Sequence, residues 1–390
     1  MGYSIIILSL AAVVVAAWLI QMILLLVVNR RVLSHIKSEK KDSLALAAED
    51  KPGVSVLIYA HNQGESLMRN LPVLLDNDYP DFEVIVIDDM SCDDTQNVLT
   101  IMEQRSEHFF HTKITDKVRT MSHRKLALLL GVKAAHHDII VTTKAQCIPA
   151  TKDWLSSMVR NMDDRTEIVL GPMVFESRRG IVARFCQYDL LQRMISLFGI
   201  TLSFRAFAGW GDNMAFRKHL LFDDNNKAFS SHLDIHPGDD DLFVAAMARR
   251  RNVKVECTPE SIIVKQEDQL TKAWSKDRVT RAFTAKRYAM FPKLIKVLDY
   301  ATRYLCVLPG LAIAIYAGLS FDWILMSSAL ALLVLRVLTI AMLTYLTTKE
   351  LGVRRYFYSP ICYDLLIPVV DLVFWIRATL GQRTFYVGRV

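Results

Sequence analysis

The chain has 390 residues, enough for one large domain of roughly 250 residues together with membrane segments. Hydrophobic residues make up 52% of the sequence and the mean hydropathy is +0.24, both high for a soluble protein. The net charge is +7, and the basic residues crowd near the ends of the apolar segments, which favours an anionic membrane surface over nucleic acid as partner. The six cysteines form no CxxC pair, so no disulfide framework is expected.

An uncharged apolar run from Ser4 to Val28 opens the chain and is long enough to cross a bilayer. Arg30 and Arg31 follow at once, so the positive-inside rule places the next segment in the cytosol. A cleaved signal peptide is the alternative, but the run is long for one and no small-residue cleavage site follows it. The sequence therefore predicts a transmembrane anchor in the first 30 residues, followed by a polar linker over 31–52.

Residues 53–290 have the pattern of an α/β domain. Short apolar runs of buried-strand type cover Val54–Tyr59 and Phe82–Ile87, and leucines at helical spacing lie between them. A further helical stretch and the strand-like run Asp138–Thr142 repeat the theme. Strand, helix and strand at this spacing predict βαβ units in a mixed, mainly parallel sheet.

Membrane character returns in residues 291–390. Apolar runs at about 305–319 and 323–346 predict a helical hairpin that crosses the membrane twice. A third apolar run at about 361–376 contains Asp364 and Asp371, which favours an interfacial or re-entrant helix over a third span.

Two carboxylates, Asp88 and Asp89, follow the second predicted strand. Ligands of open α/β sheets bind beyond the carboxyl ends of the strands. Adjacent carboxylates that leave a buried strand need a partner such as a nucleobase N–H, ribose hydroxyls or a cation. An Asp-rich turn that caps the next helix is the alternative, but Asp93, Asp94 or Thr95 could supply that cap. We therefore interpret Asp88 and Asp89 as ligand-binding residues.

Several motifs in the right order resemble those of the inverting, membrane-anchored bacterial glycosyltransferases of family two, which have the GT-A fold. Besides the first strand and Asp88-Asp89, they are Tyr79-Pro80, Lys125, Gly171-Pro172, Gly209 to Lys218 and Gly238 to Asp241. The resemblance implies a GT-A-like nucleotide-sugar domain flanked by transmembrane helices, with a role in building cell-envelope polysaccharide. It also implies a nucleotide-binding set of Tyr59, Asn62, Asp88, Asp89 and Lys125.

The acidic run Asp239 to Asp241 resembles the acceptor-side motif that carries the family's catalytic base. The resemblance implies that Asp240 takes the acceptor proton, with Asp239 as the alternative. The same residues could cap a helix that begins near Leu242, and the two roles are compatible.

The acceptor loop implied by the resemblance contains Trp210, Asp212 and Asn213. Trp210 either stacks on a sugar face or serves as a structural aromatic residue. The loop would face a lipid-linked or saccharide acceptor at the membrane.

The chain departs from the family pattern after the third predicted strand. Where the family has an Asp-x-Asp that grips a divalent cation, this sequence has Lys144-Ala145-Gln146. A lysine cannot bind Mg²⁺ or Mn²⁺ and glutamine is a weak ligand, so no metal-binding residues are assigned and no cofactor is expected with certainty. Either Lys144 neutralises the donor diphosphate itself, or the site has decayed and the domain binds without transferring sugar.

A second departure lies at the family's Gln-x-x-Arg-Trp position, which reads Arg278-Val279-Thr280-Arg281-Ala282. Arg281 keeps the phosphate-binding charge, but the aromatic platform is missing, which argues against processive polymer synthesis. Arg278 and Arg281 are candidates for a diphosphate or lipid head group, and an ordinary basic face at the membrane surface is an equal alternative.

The sequence thus predicts a multi-pass enzyme of the inner membrane with a cytoplasmic catalytic domain. It would transfer a sugar with inversion from a nucleotide-sugar to a lipid-linked or saccharide acceptor, without requiring a metal. The alternative is a catalytically silent, glycosyltransferase-like scaffold or regulatory subunit that acts on partner proteins in the same membrane. A transporter is disfavoured because so few hydrophobic segments leave little for a conduction path.

Overall fold

The computed structural model describes residues 5–43, 51–115, 121–222, 232–233 and 235–387. Within these ranges, a long N-terminal helix leads into an α/β domain, and a helical C-terminal region follows it. The N-terminal helix comprises α1 (Ile5–Leu24), a π-helical turn (Leu25–Asn29) and α2 (Arg30–Ser43). Its length and apolar composition are sufficient to cross a membrane.

The segment expected to be a polar linker, 31–52, is helical over much of its length. Val32 and Ile36 lie one turn apart on α2 and are fully buried in the main hydrophobic core. The polar residues around Val32 and Ile36 make this apolar face hard to detect in the sequence, because a narrow amphipathic face needs only a few apolar positions. Residues 44–50 of the expected linker lie outside the described ranges.

Ten strands form two sheets. They are β1 (Val54–Ala60), β2 (Phe82–Asp88), β3 (Phe109–Lys113), β4 (Ile139–Lys144), β5 (Cys147–Pro149), β6 (Ile168–Leu170), β7 (Met173–Phe175), β8 (Met214–Arg217), β9 (Val253–Val255) and β10 (Ile263–Lys265), counted over the described residues. The larger sheet has the order β3-β2-β1-β4-β8-β6-β9. All neighbours in it are parallel except β8, which runs antiparallel to β4 and β6. This confirms the predicted mixed, mainly parallel sheet.

The helices of the domain connect and cover these strands. They are α3 (Gly64–Leu75), α4 (Thr95–Arg105), α5 (His123–Ala134), α6 (Trp154–Val159), α7 (Ile181–Ser203) and α8 (Asp241–Met247). The strand register pairs Tyr59 of β1 with Lys144 of β4, and Ala60 with Asp88 of β2. Because parallel strands end at the same edge, Tyr59, Asp88 and Lys144 all lie at the carboxyl edge of the sheet.

The smaller sheet has the order β5-β10-β7. Its strand β5 comes shortly after β4 in the chain, and Lys265 of β10 pairs with Cys147 of β5. This pairing brings a lysine from late in the chain beside the end of β4, where Lys144 lies. Lys144 and Lys265 are more than a hundred positions apart in the sequence, so no local pattern predicts that they lie close together.

Five more α-helices complete the part of the chain that the structure describes: α9 (Leu270–Thr284), α10 (Met290–Leu319), α11 (Trp323–Glu350), α12 (Ser359–Tyr363) and α13 (Leu366–Leu380). The expected hairpin spans lie within α10 and α11, and α10 begins well before residue 305. Among the described residues, three helices are long and apolar enough to cross a membrane, and these three candidate spans are called the membrane helices: the N-terminal helix, α10 and α11.

The third C-terminal run, expected at about 361–376, forms the short helices α12 and α13. Its two acidic residues are paired within the protein. Asp364 accepts hydrogen bonds from Arg303 at 2.6 Å and from Arg336 at 2.7 Å. Asp371 contacts Arg278 of α9. These ion pairs join the run to the α/β domain and to the membrane helices, because an unpaired buried carboxylate would be strongly destabilising.

Candidate active site

A cavity of about 470 Å³ lies at the carboxyl edge of the parallel strands. Its wall is formed by the ends of β1, β2 and β4, the first two turns of α5, the loop before α8, one face of α9 and the segment after α13. Its wall includes Tyr59 and five charged residues, Arg124, Lys144, Asp239, Asp240 and Lys276. Four of these six residues were predicted from the sequence: Tyr59, Lys144, Asp239 and Asp240.

The Asp88-Asp89 pair lies behind this wall. Asp88 accepts hydrogen bonds from the backbone N–H and the hydroxyl of Ser91, which closes a tight turn. Asp89 accepts from the Tyr59 hydroxyl at 2.5 Å and faces Nδ1 of His123 at 2.6 Å. The described wall of the cavity includes neither carboxylate. Of this pair, Asp89 orders a side chain that reaches the cavity, that of Tyr59, and Asp88 orders the turn at Ser91.

Asn62 and Lys125 also hold loops at this edge. Asn62 has a positive φ of 54°, and its side-chain oxygen accepts from the Cys92 N–H at 2.8 Å. Lys125 is fully buried, and its ammonium donates to the carbonyl oxygens of His232 and Ile235. Lys125 therefore ties α5 to the segment that precedes the acidic run at Asp239 to Asp241.

Asp212 lies between two lysines. Its carboxylate is 2.8 Å from Nζ of Lys144 and 3.1 Å from Nζ of Lys265, and the residue is 1% exposed. Burial alone would raise the pKa of Asp212, but the two ammonium groups hold that pKa well below its usual range. The carboxylate is therefore ionised, and it neutralises part of the charge that Lys144 brings to the end of β4.

The residues at this position do not fit a divalent cation. Among the side chains that the structure describes, no three His, Cys, Asp or Glu are grouped so that they could hold a metal. Lys144 points its ammonium at Asp212, and the Gln146 amide donates to Gln63 at 2.5 Å. Hard cations such as Mg²⁺ and Mn²⁺ need several oxygen ligands, and a neighbouring ammonium opposes their binding.

Asp240 is the best-anchored carboxylate of the cavity. It caps α8 by accepting from the Asp241 N–H at 2.7 Å, and it accepts from the Gly211 N–H at 3.0 Å. The Arg281 guanidinium donates to both of its oxygens. Burial would raise the pKa of Asp240, but Arg281 and then Lys144 lower it below the usual value. Asp240 is thus a helix cap and a cavity carboxylate at once.

The neighbours of Asp240 have different environments. Asp239 is half-buried on the cavity wall and forms no hydrogen bond with a described residue. Asp241 is 1% exposed and accepts from the hydroxyls of Thr284 and Tyr288. Burial raises the pKa of Asp241 to about 6. Its side chain connects α8 to α9 and serves the packing of the domain.

A second cavity, of about 740 Å³, lies among the membrane helices and the adjacent ends of α7 and α9. Apolar residues such as Leu24, Val28 and Trp375 line part of it, and Lys286 and Lys296 line another part. Such a mixture of apolar walls and basic groups suits a molecule with an apolar tail and a polar head.

Arg281 and Trp210 lie on the wall of the second cavity. The Arg281 guanidinium is 5.9 Å from the centre of the Trp210 ring, and it also pairs with Asp240 of the first cavity at 2.7 Å. The Arg281–Asp240 pair therefore separates the two cavities.

Two other predicted site residues are used for packing. Asn213 is buried and donates to the carbonyl oxygens of Pro172 and Ser261, both at 2.8 Å. Arg278 pairs with Asp189 at 2.8 Å as well as with Asp371, and it faces the second cavity.

Arg124, Lys276 and Phe385 line the first cavity but were not predicted from the sequence. Each lies in a segment without a recognisable motif. Arg124 is adjacent to Lys125, and Lys276 lies just before the motif at 278–282. These neighbouring motifs were the only signals that the sequence offered. The C-terminal Phe385 gave no signal, because only the fold returns it to the sheet edge.

Residues 7–386 match glycosyl transferase family 21. A mannosyltransferase from Pyrobaculum calidifontis, solved in complex with GDP-Man and Mn²⁺, is 18% identical with a TM-score of 0.50, over 94% of this chain and 99% of that chain. S. aureus TarS with UDP-GlcNAc is 12% identical with a TM-score of 0.41, over 85% and 92% of the chains.

Glucosyl-3-phosphoglycerate synthase from Mycobacterium tuberculosis, in complex with Mn²⁺ and UDP, is 15% identical with a TM-score of 0.39, over 64% of this chain and 81% of that chain. No curated protein matches the sequence. The family match covers the α/β domain together with the membrane helices. The likeness to the mannosyltransferase confirms the GT-A-like fold. The chain is a glycosyltransferase and belongs to glycosyl transferase family 21.

Proposed function

We propose that this glycosyltransferase moves a sugar from a nucleotide-sugar, bound in the first cavity, to a lipid-linked or membrane-proximal saccharide acceptor that enters from the second cavity. The observation that carries the proposal is the Arg281–Asp240 pair between the two cavities. Asp240 lies on the wall of the first and Arg281 on the wall of the second. A donor and an acceptor bound on the two sides would meet at this pair.

The donor is assigned to the first cavity because that cavity opens at the carboxyl ends of the strands. The nucleoside would lie against Tyr59, whose hydroxyl is fixed by Asp89. Asp88 would support the same wall through its turn with Ser91. The diphosphate would lie toward Lys144, at the end of β4.

The reaction is proposed as a single displacement with inversion. An acceptor hydroxyl attacks the anomeric carbon while the bond from that carbon to the diphosphate oxygen breaks. The hydroxyl proton goes to the Asp240 carboxylate, and the bonding electrons leave with the nucleoside diphosphate. Asp240 suits this role because it stays ionised and faces Arg281, on the acceptor side. Asp239 lies nearer to Arg124 and Tyr59, on the donor side.

The acceptor is assigned to the second cavity because apolar walls and basic groups occur together there. Trp210 would contact the acceptor next to the reaction centre. Arg30 and Arg31 follow the apolar part of the N-terminal helix, so we assign the catalytic domain to the cytoplasmic face of the inner membrane. An enzyme in that position would serve cell-envelope polysaccharide synthesis.

The test uses purified full-length protein, with sugar nucleotides as donors and membrane lipid extract as acceptor. Product formation and donor affinity are both measured. The Asp240→Asn variant should lose about 10²–10⁴-fold in kcat with nearly unchanged donor affinity. Asp239→Asn is the matched control, with a smaller loss of kcat. If Asp240→Asn retains full activity, Asp240 is not the base.

A second candidate is a silent scaffold, which the Lys144-Ala145-Gln146 sequence favours because it lacks metal ligands. If the wild-type protein binds no sugar nucleotide, with or without Mn²⁺, this candidate replaces the transferase proposal.

A further inference from the structure

Two positive side chains on the wall of the first cavity, Arg124 and Lys276, form no ion pair with any residue that the structure describes. The Arg124 guanidinium lies 5.4 Å from the centre of the Tyr59 ring. Lys276 lies on α9, one turn before Thr280, and both line the cavity. The two cations therefore face the same space from two different helices.

The other charges of the cavity are mostly compensated. Lys144 is paired with Asp212, and Asp240 is paired with Arg281. Asp239 affects the pKa of Arg124 but makes no ion pair with it. Arg124 and Lys276 are consequently the cations on this wall without a paired carboxylate, and Lys144 is only partly compensated because it shares Asp212 with Lys265.

The pKa of Lys276 reflects this crowding of positive charge. Burial lowers it, and the charges of Arg124, Lys144 and Lys265 lower it further, against the opposite effect of Glu267. A bound anion would offset this repulsion and favour the charged form of Lys276. The arrangement is thus suited to a ligand with two or more negative charges.

We propose that Arg124 and Lys276, together with Lys144, bind the donor diphosphate in place of a divalent cation. The inference rests on the proposed function, which assigns the donor to this cavity. It adds two binding residues and a mode of binding that needs no metal. The planar guanidinium can hold two phosphate oxygens at once, and the two ammonium groups act as point charges.

The same residues would act during the reaction. Negative charge develops on the diphosphate as its bond to the sugar breaks. Positive groups already fixed around that oxygen stabilise the charge without reorganising. Lys144 also disfavours a metal ion at this position, because its ammonium lies at the end of β4 and donates to Asp212.

The experiment is calorimetric titration of the full-length protein with UDP, GDP and inorganic pyrophosphate, each in EDTA and in Mn²⁺. Lys276→Gln and Arg124→Gln are compared with Lys272→Gln. Lys272 is exposed on the same helix, one turn before Lys276, and is not on the described wall of the cavity. It therefore controls for the general loss of one positive charge.

The wild-type protein should bind a nucleoside diphosphate in EDTA, with Kd within about twofold of that in Mn²⁺. Lys276→Gln and Arg124→Gln should each weaken binding about tenfold or more, and Lys272→Gln should leave it unchanged. Lys276→Arg should retain most of the affinity. Thermal melts accompany each variant, and Arg124→Lys replaces Arg124→Gln if the latter unfolds.

Strict dependence on Mn²⁺, or equal affinities of Lys276→Gln and Lys272→Gln, would overturn the inference while leaving the donor assignment intact. Pyrophosphate binding that depends on Lys276, without binding of UDP or GDP, would support the anion site and reject the donor assignment. If no diphosphate binds to the wild-type protein, both are rejected.

Discussion

Arg281 holds Asp240 through two hydrogen bonds, from Nη2 to Oδ2 at 2.7 Å and from Nη1 to Oδ1 at 3.2 Å. Its Nη1 also donates to the Gly209 carbonyl at 3.1 Å, and it lies 3.5 Å from Asp241. One guanidinium thus fixes the loop at Gly209, the cap of α8 and the position of α9. Because both carboxylates are buried, the charge of Arg281 is needed for folding as well as for the site.

Arg281→Ala should therefore destabilise the protein by about 3 kcal/mol, since it leaves two buried carboxylates without their counter-charge. Arg281→Lys should lose less stability, because lysine keeps the positive charge but cannot bind both carboxylate oxygens at once. The free energy of unfolding is measured by urea titration in detergent. If Arg281→Ala lowers the free energy of unfolding no more than Lys272→Ala does, the account is contradicted.

The Asp212 carboxylate should matter more for stability than Lys144. Asp212→Asn leaves the ammonium groups of Lys144 and Lys265 facing each other, at a cost of about 3–5 kcal/mol. Lys144→Gln leaves Asp212 paired with Lys265, so its effect should be smaller. Urea titrations of the two variants decide this. Equal destabilisation would show that Lys265 does not compensate Asp212.

Stability should depend on pH through Glu256. Arg160 pairs with Glu256 at 2.7 Å and with Glu39 of α2 at 2.5 Å, so two carboxylates share one guanidinium. Burial and then the charge of Glu39 raise the pKa of Glu256 to about 7. The folded state therefore holds this proton more tightly than the unfolded state. The resulting stabilisation is full below the unfolded pKa near 4.5 and is lost as the pH rises through about 7.

The measurement is the free energy of unfolding of the wild type and of Glu256→Gln, from urea titrations across this pH window. The difference between them should change by at most about 1.4 kcal/mol per pH unit, with the wild type losing stability relative to the variant as the pH rises. Parallel pH profiles would show that Glu256 does not titrate in this range.

Phe385 should link the C-terminal segment to donor binding. Its ring stacks on Phe283 with centroids 4.4 Å apart, and its carbonyl accepts from the His236 N–H at 2.8 Å. Phe385→Ala removes one wall of the first cavity and should lower stability by about 2 kcal/mol. It should also weaken binding of the nucleoside diphosphate, measured by calorimetry, whereas Phe385→Leu should keep most of the affinity. Unchanged binding in Phe385→Ala would exclude this segment from the donor site.

Trp210 should affect the acceptor more than the donor. Its ring contacts Arg193 and Arg281 and faces the second cavity. Trp210→Phe should raise KM for the acceptor several-fold with little change in donor affinity, because the ring loses contact area but remains aromatic. A change confined to donor affinity would contradict the assignment of the second cavity.

The parallel core of the sheet and the membrane helices could be predicted from the residues alone. Val54–Tyr59 and Phe82–Ile87 are short apolar runs, each interrupted by a single polar residue, and such runs are typical of strands that are buried on both faces. The apolar stretches of α10 and α11 follow from the same preference for an apolar environment. The absence of carboxylates at Lys144-Ala145-Gln146 was equally visible, because it concerns residue identity rather than position in space.

The packing of the elements in space sets which polar residues face the cavity and which stabilise the core. Lys125 and Asn213 lie in motifs, yet both are buried in hydrogen bonds to backbone carbonyls. Arg124 and Lys276 lie in no motif, yet both face the cavity. Their roles depend on contacts between segments far apart in the chain. A local pattern fixes which face of a strand or helix is apolar, but the partner of each charge is set by how those elements pack together.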